Sequence, residues 1–313
     1  MAYTLVTNSG ERGPSRVRQG YERDATIAIV GCGGTGGFLA EAVCRLLIGK
    51  SSQVVLVDMD VVESHNIARQ AFDVGDIGRF KSEVLAERLA RRFRRDIGCS
   101  TEPYSRELHQ AIFDDARSQL CLVIGCVDNA AARRSIAKGL DKGGPSWGMH
   151  DAGRVWWLDC GNQQNGGQIL LGNRVVAASL REAFVPVEAK CYSLPAPSLQ
   201  RPDLMVAPPE PLQEIELDCA ERVIAGAQGP TINQMVAAYA AGFLEKILAG
   251  SCQWAACDFD GDLGSLSYVP AEPSVIAGMV KRTKRFLTLN VRPGEAVNEE
   301  VCPNCGRVHN QAA

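Results

Sequence analysis

Five glycines within seven residues, Gly31, Gly33, Gly34, Gly36 and Gly37, constrain this chain more than any other feature. They follow a continuous apolar run, Thr26-Ile-Ala-Ile-Val30, of the kind that forms a strand buried on both faces. Phe38 to Ile48 then puts Leu39, Val43 and Leu46/Leu47 on one side of a helix, and Val54-Val-Leu-Val57 reads as a second strand ending at Asp58. Strand, glycine turn, helix and strand make a βαβ unit. The expected fold is therefore α/β, a doubly wound and mainly parallel sheet with right-handed crossovers.

Gly31-Cys-Gly33-Gly34-Thr-Gly36 fits the pattern GxGxxG between a strand and a helix. Such glycines let the backbone turn tightly and approach a phosphate, whose charge is favoured at a helix N-terminus. Asp58 stands where a carboxylate can hold a ribose hydroxyl. The competing reading, glycines used only to pack helix on sheet, is disfavoured by this strand–loop–helix context. The loop alone says nucleotide, with NAD the commonest tenant. The stretch Asp58-Met-Asp60-Val-Val-Glu-Ser-His65-Asn66-Ile-Ala-Arg69-Gln70, continued by Gly78-Arg-Phe-Lys81, argues against a dehydrogenase. An Arg and a Lys near one phosphate loop suit a triphosphate, whereas the pyrophosphate of NAD is largely served by backbone amides.

Further along, Cys121-Leu-Val-Ile124 is a third strand, followed by Asp128-Asn129 and a helix from about Ala130. Strands are expected at Val155 to Asp159 and Gln168 to Leu171, and an Ala-rich core helix from about Pro230 to Ala249. The helix Lys81 to Arg95 carries Arg88, Arg91, Arg92, Arg94 and Arg95, a solvated face rather than a nucleic-acid surface. The whole chain agrees, with 33 basic against 36 acidic residues. At 46% hydrophobic and 22% charged residues, a disordered chain is excluded. No apolar run is long enough to span a bilayer, and the first residues lack the pattern of a signal peptide, so a cytoplasmic protein with no membrane association is expected.

These ordered motifs resemble the ThiF/MoeB superfamily, the fold of ubiquitin-activating enzymes and their sulfur-carrier relatives. The likeness lies in the GxGGxG loop, the D-x-D…S-x-N-x-x-R-Q run, the G-R-x-K segment and the strand ending in D-N. It covers about Ile27 to Lys138 and resumes more loosely from Asp218 to Ala249, where Asp218-Cys-Ala-Glu and Gly229-Pro-Thr-Ile-Asn-Gln234 are similar to versions from bacterial ubiquitin-like gene clusters, including PRTRC clusters. The resemblance implies ATP-dependent adenylation of the C-terminal carboxylate of a small ubiquitin-like or sulfur-carrier protein. It implies that Asp58 holds the ribose, that Asn66, Arg69 and Lys81 contact the triphosphate and that Asp128 holds Mg²⁺; Asp60, Gln70 and Asn129 match the same runs. It also implies a homodimer, and a conjugating-enzyme-like protein as a further partner. In the family an arginine often comes from the partner's N-terminal arm. Arg12, Arg16, Arg18 and Arg23 are available here, outside the usual sequence context.

The resemblance extends to thiols. Cys302-x-x-Cys305 matches the second half of a family zinc site, and Cys191 and His309 could complete a tetrahedral set; the alternative is a relic of a lost site. Cys219 is the candidate nucleophile for passing the acyl group on as a thioester, and the alternative is a structural cysteine. The organisation expected is an arm over 1–24 and a single adenylation domain over 25–313. That domain includes a Pro-rich crossover segment, 185–229, and a Cys-containing tail, 281–313. Competing functions are adenylation of a small molecule or a tRNA group, a non-catalytic activating subunit, and an NAD(P) oxidoreductase, which the cations disfavour.

Overall fold

In the computed structural model the residues described are 4–5, 25–114, 116, 120–141, 155–163, 165–207, 230–289, 300–301 and 308–309. The strands in chain order are β1 (Thr4–Leu5), β2 (Ala25–Val30), β3 (Gln53–Val57), β4 (Gly98–Ser100), β5 (Leu120–Gly125), β6 (Val155–Asn162), β7 (Gly166–Gly172), β8 (Phe184–Val185), β9 (Lys190–Cys191), β10 (Trp254–Asp260), β11 (Ser265–Pro270), β12 (Glu300–Val301) and β13 (Val308–His309). The helices are α1 (Gly34–Leu46), α2 (Lys81–Phe93), α3 (Arg106–Phe113), α4 (Ala130–Leu140), α5 (Pro197–Gln200), α6 (Pro230–Leu248), α7 (Pro273–Met279) and α8 (Lys284–Leu287).

Eight strands form one sheet in the order β11-β10-β7-β6-β5-β2-β3-β4. Pairing is parallel from β4 through β6, then antiparallel from β6 through β11. Alternation along β2 explains the double winding. Ile27 and Ile29 face a core shared with α1, α2 and α6, while Ala28 and Val30 face a second core with Phe113 of α3 and Ile136 of α4. From β2 the chain builds outward to β3 and β4, then returns to the other side with β5. The strand order reverses there, which opens a crevice at the carboxyl ends of β2 and β5.

Several expectations change in three dimensions. The antiparallel pair β10 and β11 was not legible in the sequence and widens the sheet beyond its parallel half. Thr4–Leu5, expected within a free arm, pairs parallel with β9, which also pairs antiparallel with β8. The Pro-rich crossover segment is packed over its described part, 185–207. Cys191, Leu194 and Ala196 are fully buried, and Arg201 donates to Gln168. On α2, Arg88 bonds Ala71, Asp73 and Asp76 and Arg92 pairs with Glu41, and just past its end Arg95 donates to the Leu47 and Ser52 carbonyls. These three arginines bond to other parts of the fold. Among the described residues no helix is long and apolar enough to cross a membrane.

Candidate nucleotide site

The crevice holds a cavity of about 380 Å³, lined by the glycine loop, the end of β3, the loop after it and the start of α4. The glycines divide their work. Gly31 has φ +90°, and a Cβ on it would sit 2.5 Å from the Cys126 carbonyl oxygen, so only glycine fits this close passage. A Cβ on Gly36 would overlap the Gly31 carbonyl, which makes that glycine a packing requirement between α1 and β2. Gly36 does not line the cavity; Gly31, Gly33 and Gly34 do. Glycine is thus required by close backbone packing at Gly31 and Gly36, while Gly31, Gly33 and Gly34 form part of the cavity wall.

Asp58 braces the loop. Its Oδ2 accepts from the Cys32 N–H at 2.6 Å and its Oδ1 from the Asp60 N–H at 2.8 Å. Burial raises its pKa, and those two N–H donors together with Lys81 pull in the opposite direction. Burial likewise pushes the Cys32 thiol up, with Asp58 adding to it. Lys81 opens α2, its chain buried and its Nζ 3.0 Å from Asp60 Oδ2. Arg69 and Gln70 face the same cavity, and the buried Arg69 Nε and Gln70 Oε1 have no hydrogen-bond partner. A buried guanidinium nitrogen without an acceptor is costly, so the recess fits a bound anion. At the mouth, exposed Asp128 accepts from the Asn129 side chain, whose Oδ1 caps α4 through Ala132 N–H at 2.8 Å.

Asn66 departs from its expected role. It is buried, does not line the cavity, and its Oδ1 accepts from the Glu63 N–H at 3.0 Å, which closes the short turn leading to Arg69. Asn66 thus braces the turn that carries Arg69. His65 stays at the rim, 3.1 Å from Glu63. Cys191 is fully buried, its thiol donating to the Ser193 carbonyl and its pKa pushed up by burial, the setting of a core residue rather than a zinc ligand. Cys302, Cys305 and Cys219 lie outside the described residues, and of His309 only its place in β13 is described. Among the described residues no cluster of His, Cys, Asp or Glu could hold a metal.

Among the cavity residues that sequence reasoning missed are Cys126, Cys160, Asn162 and Asn233. Cys126 and Cys160 follow the register pair Gly125↔Asp159 on neighbouring strands, and the Cys126 thiol and burial together push the Cys160 thiol up. Behind them, Arg133 of α4 and Asp159 of β6 form a buried ion pair at 3.1 Å. Burial raises Asp159 to about 6 despite that partner. Asn233 sat in a recognisable run, Gly229 to Gln234, but nothing local marked Asn162.

Residues 10–142 match the ThiF family model. Ubiquitin-like modifier-activating enzyme 5 of Branchiostoma floridae is 34% identical over 137 residues, 40% of this chain and 32% of that protein. Adenylyltransferase and sulfurtransferase MOCS3 of Bos taurus is 34% identical over 114 residues, 36% of this chain and 24% of its own. The chain thus spans about a third or less of these curated relatives. The crystal structure of PaaA covers 80% of this chain and 64% of its own at 13% identity, with a TM-score of 0.51, a likeness in fold.

Proposed function

We propose that this chain, which matches the ThiF family model over residues 10–142, adenylates the C-terminal carboxylate of a small ubiquitin-like or sulfur-carrier protein with ATP. The carboxylate attacks the α-phosphorus, an O–P bond forms, and pyrophosphate leaves. The observation that carries this reading is the buried, partnerless Arg69 Nε in one recess with the Lys81 ammonium and the glycine loop. A carboxylate is already a nucleophile, so little acid–base chemistry is needed. These residues act by positioning the phosphates and by stabilising the charge that builds on them. Asp58 holds the loop and offers its remaining lone pairs to a ribose. Lys81 exchanges its Asp60 partner for phosphate oxygen, and Asp128 would ligate Mg²⁺, which when bound neutralises phosphate charge.

Pyrophosphate exchange into ATP tests the reading. Exchange that depends on a carrier protein is expected in the wild type, falling by about 100-fold or more in Arg69→Ala and Lys81→Ala without loss of fold. Near-normal exchange in both variants, or tight NADH binding with no exchange, would overturn it.

Three further features belong to the same proposal. Cys219 accepts the acyl group as a thioester, read as a reductant-sensitive adduct that Cys219→Ala abolishes while keeping exchange. Cys302, Cys305 and His309 bind Zn²⁺ in the tail, an idea that a zinc-free purified protein would sink. The enzyme works as a homodimer beside a conjugating-enzyme-like partner, and sedimentation at a single-chain mass would contradict the dimer.

A further inference from the structure

One cavity residue comes from far outside the segment that matches the family. Asn233, on the first turn of α6, is 2% exposed and lines the cavity opposite the glycine loop. Three hydrogen bonds fix the direction of its amide. Thr35 Oγ1 donates to Asn233 Oδ1 at 3.4 Å, Asn162 Nδ2 donates to Thr35 Oγ1 at 3.4 Å, and Asn162 Nδ2 also donates to Asn233 Oδ1. The Thr35 hydroxyl has one proton, spent on Asn233. If the Asn233 amide were flipped, its NH₂ would face two donors. The chain of bonds therefore turns Nδ2 away from Thr35 and Asn162. Nδ2 lies directly against the Gly34 backbone, where a Cβ would overlap it. It has no acceptor among the described residues, and Asn233 lines the cavity. A nearly buried amide whose oxygen is fully engaged and whose two N–H donors are free, beside a phosphate-type loop, is a donor awaiting an acceptor.

We infer that Asn233 is a substrate-contacting residue of this site, its Nδ2 donating to a phosphoryl oxygen of the bound nucleotide beside Gly34, with Thr35 and Asn162 as its positioning residues. The inference rests on the adenylation reading and deepens it. A fixed amide donor needs no reorientation as negative charge grows on that oxygen, so its contribution increases along the reaction. It also gives Gly34 a reason beyond the loop's own turn: any side chain there would displace the amide.

Asn233→Asp separates a donor from a packing role. A carboxylate keeps the oxygen that accepts from Thr35 and Asn162, while the donors are replaced by a second oxygen facing the phosphates. The probes are ATP and adenosine, measured by calorimetry, with pyrophosphate exchange alongside. The expected result is an unchanged melting temperature, adenosine affinity within about twofold of wild type, and ATP affinity and exchange both reduced by about tenfold or more. Asn233→Ala, should the aspartate variant not fold, is expected to lower the exchange kcat about tenfold with adenosine affinity retained. Thr35→Val is expected to lower the exchange kcat in the same direction by freeing the amide to rotate. A variant that keeps the wild-type ratio of ATP to adenosine affinity and wild-type exchange overturns the role of Asn233 and leaves adenylation standing. A wild-type protein that binds ATP no better than adenosine overturns both.

Discussion

Asp58 is expected to be a structural residue as much as a ligand, and Asp58→Ala exposes the difference. Removing the carboxylate strands two backbone N–H groups. That of Cys32 is buried and has no other acceptor, so its loss costs about 1–3 kcal/mol. That of Asp60 is at an exposed residue, where water replaces the lost oxygen at little cost. Part of the loss is returned, because desolvation already penalises the charge on Asp58. The net destabilisation is about 2 kcal/mol, or roughly 3 °C in Tm for a domain of this size. Asp58→Asn keeps one acceptor oxygen and should cost about half as much. Urea unfolding followed by far-UV circular dichroism measures both, with the midpoint expected to move and the slope to stay constant. An Asp58→Ala midpoint equal to wild type would refute the bracing role and leave Asp58 only the proposed ribose contact. Loss of ATP affinity in either variant is to be read after this stability change is subtracted.

The buried pair of Arg133 and Asp159 predicts a pH signature. Burial raises the Asp159 pKa from 3.8 to about 6, so the native state holds a proton through this window that the unfolded chain releases. Stability from this group is fully present below about pH 4 and is lost as pH rises to about 6, by up to roughly 3 kcal/mol. Wild type should therefore gain that much over Asp159→Asn, which cannot titrate, on going from pH 7 to pH 4; parallel unfolding profiles would dismiss the shift. Gly36→Ala should lose several kcal/mol, since the methyl group meets the Gly31 carbonyl and both lie in the main chain. Soluble, wild-type-like melting of Gly36→Ala would show that the loop can give way.

Much of the parallel half of the sheet was legible because its signals are local. Apolar runs mark β2, β3 and β5 as strands buried on both faces. The glycine spacing marks a loop that no side chain could enter, and Lys81 opens the helix expected of it. The antiparallel half was less so. β11 is an exposed edge strand, and its partner β10 mixes apolar residues with Asp258 and Asp260 without a regular period, so neither carries a strong pattern. Side-chain roles within a motif were also beyond the sequence. Asn66 and Arg69 belong to one run, yet the turn buries the first as a cap and turns the second toward the cavity. Tertiary structure alone decided that Cys191 is core, and that Asn162 and Asn233, 71 residues apart, meet Thr35 at the glycine loop. Backbone conformation and burial period are written in neighbouring residues, whereas the direction of a hydrogen-bond donor is set by partners that only the folded sheet and α6 bring together.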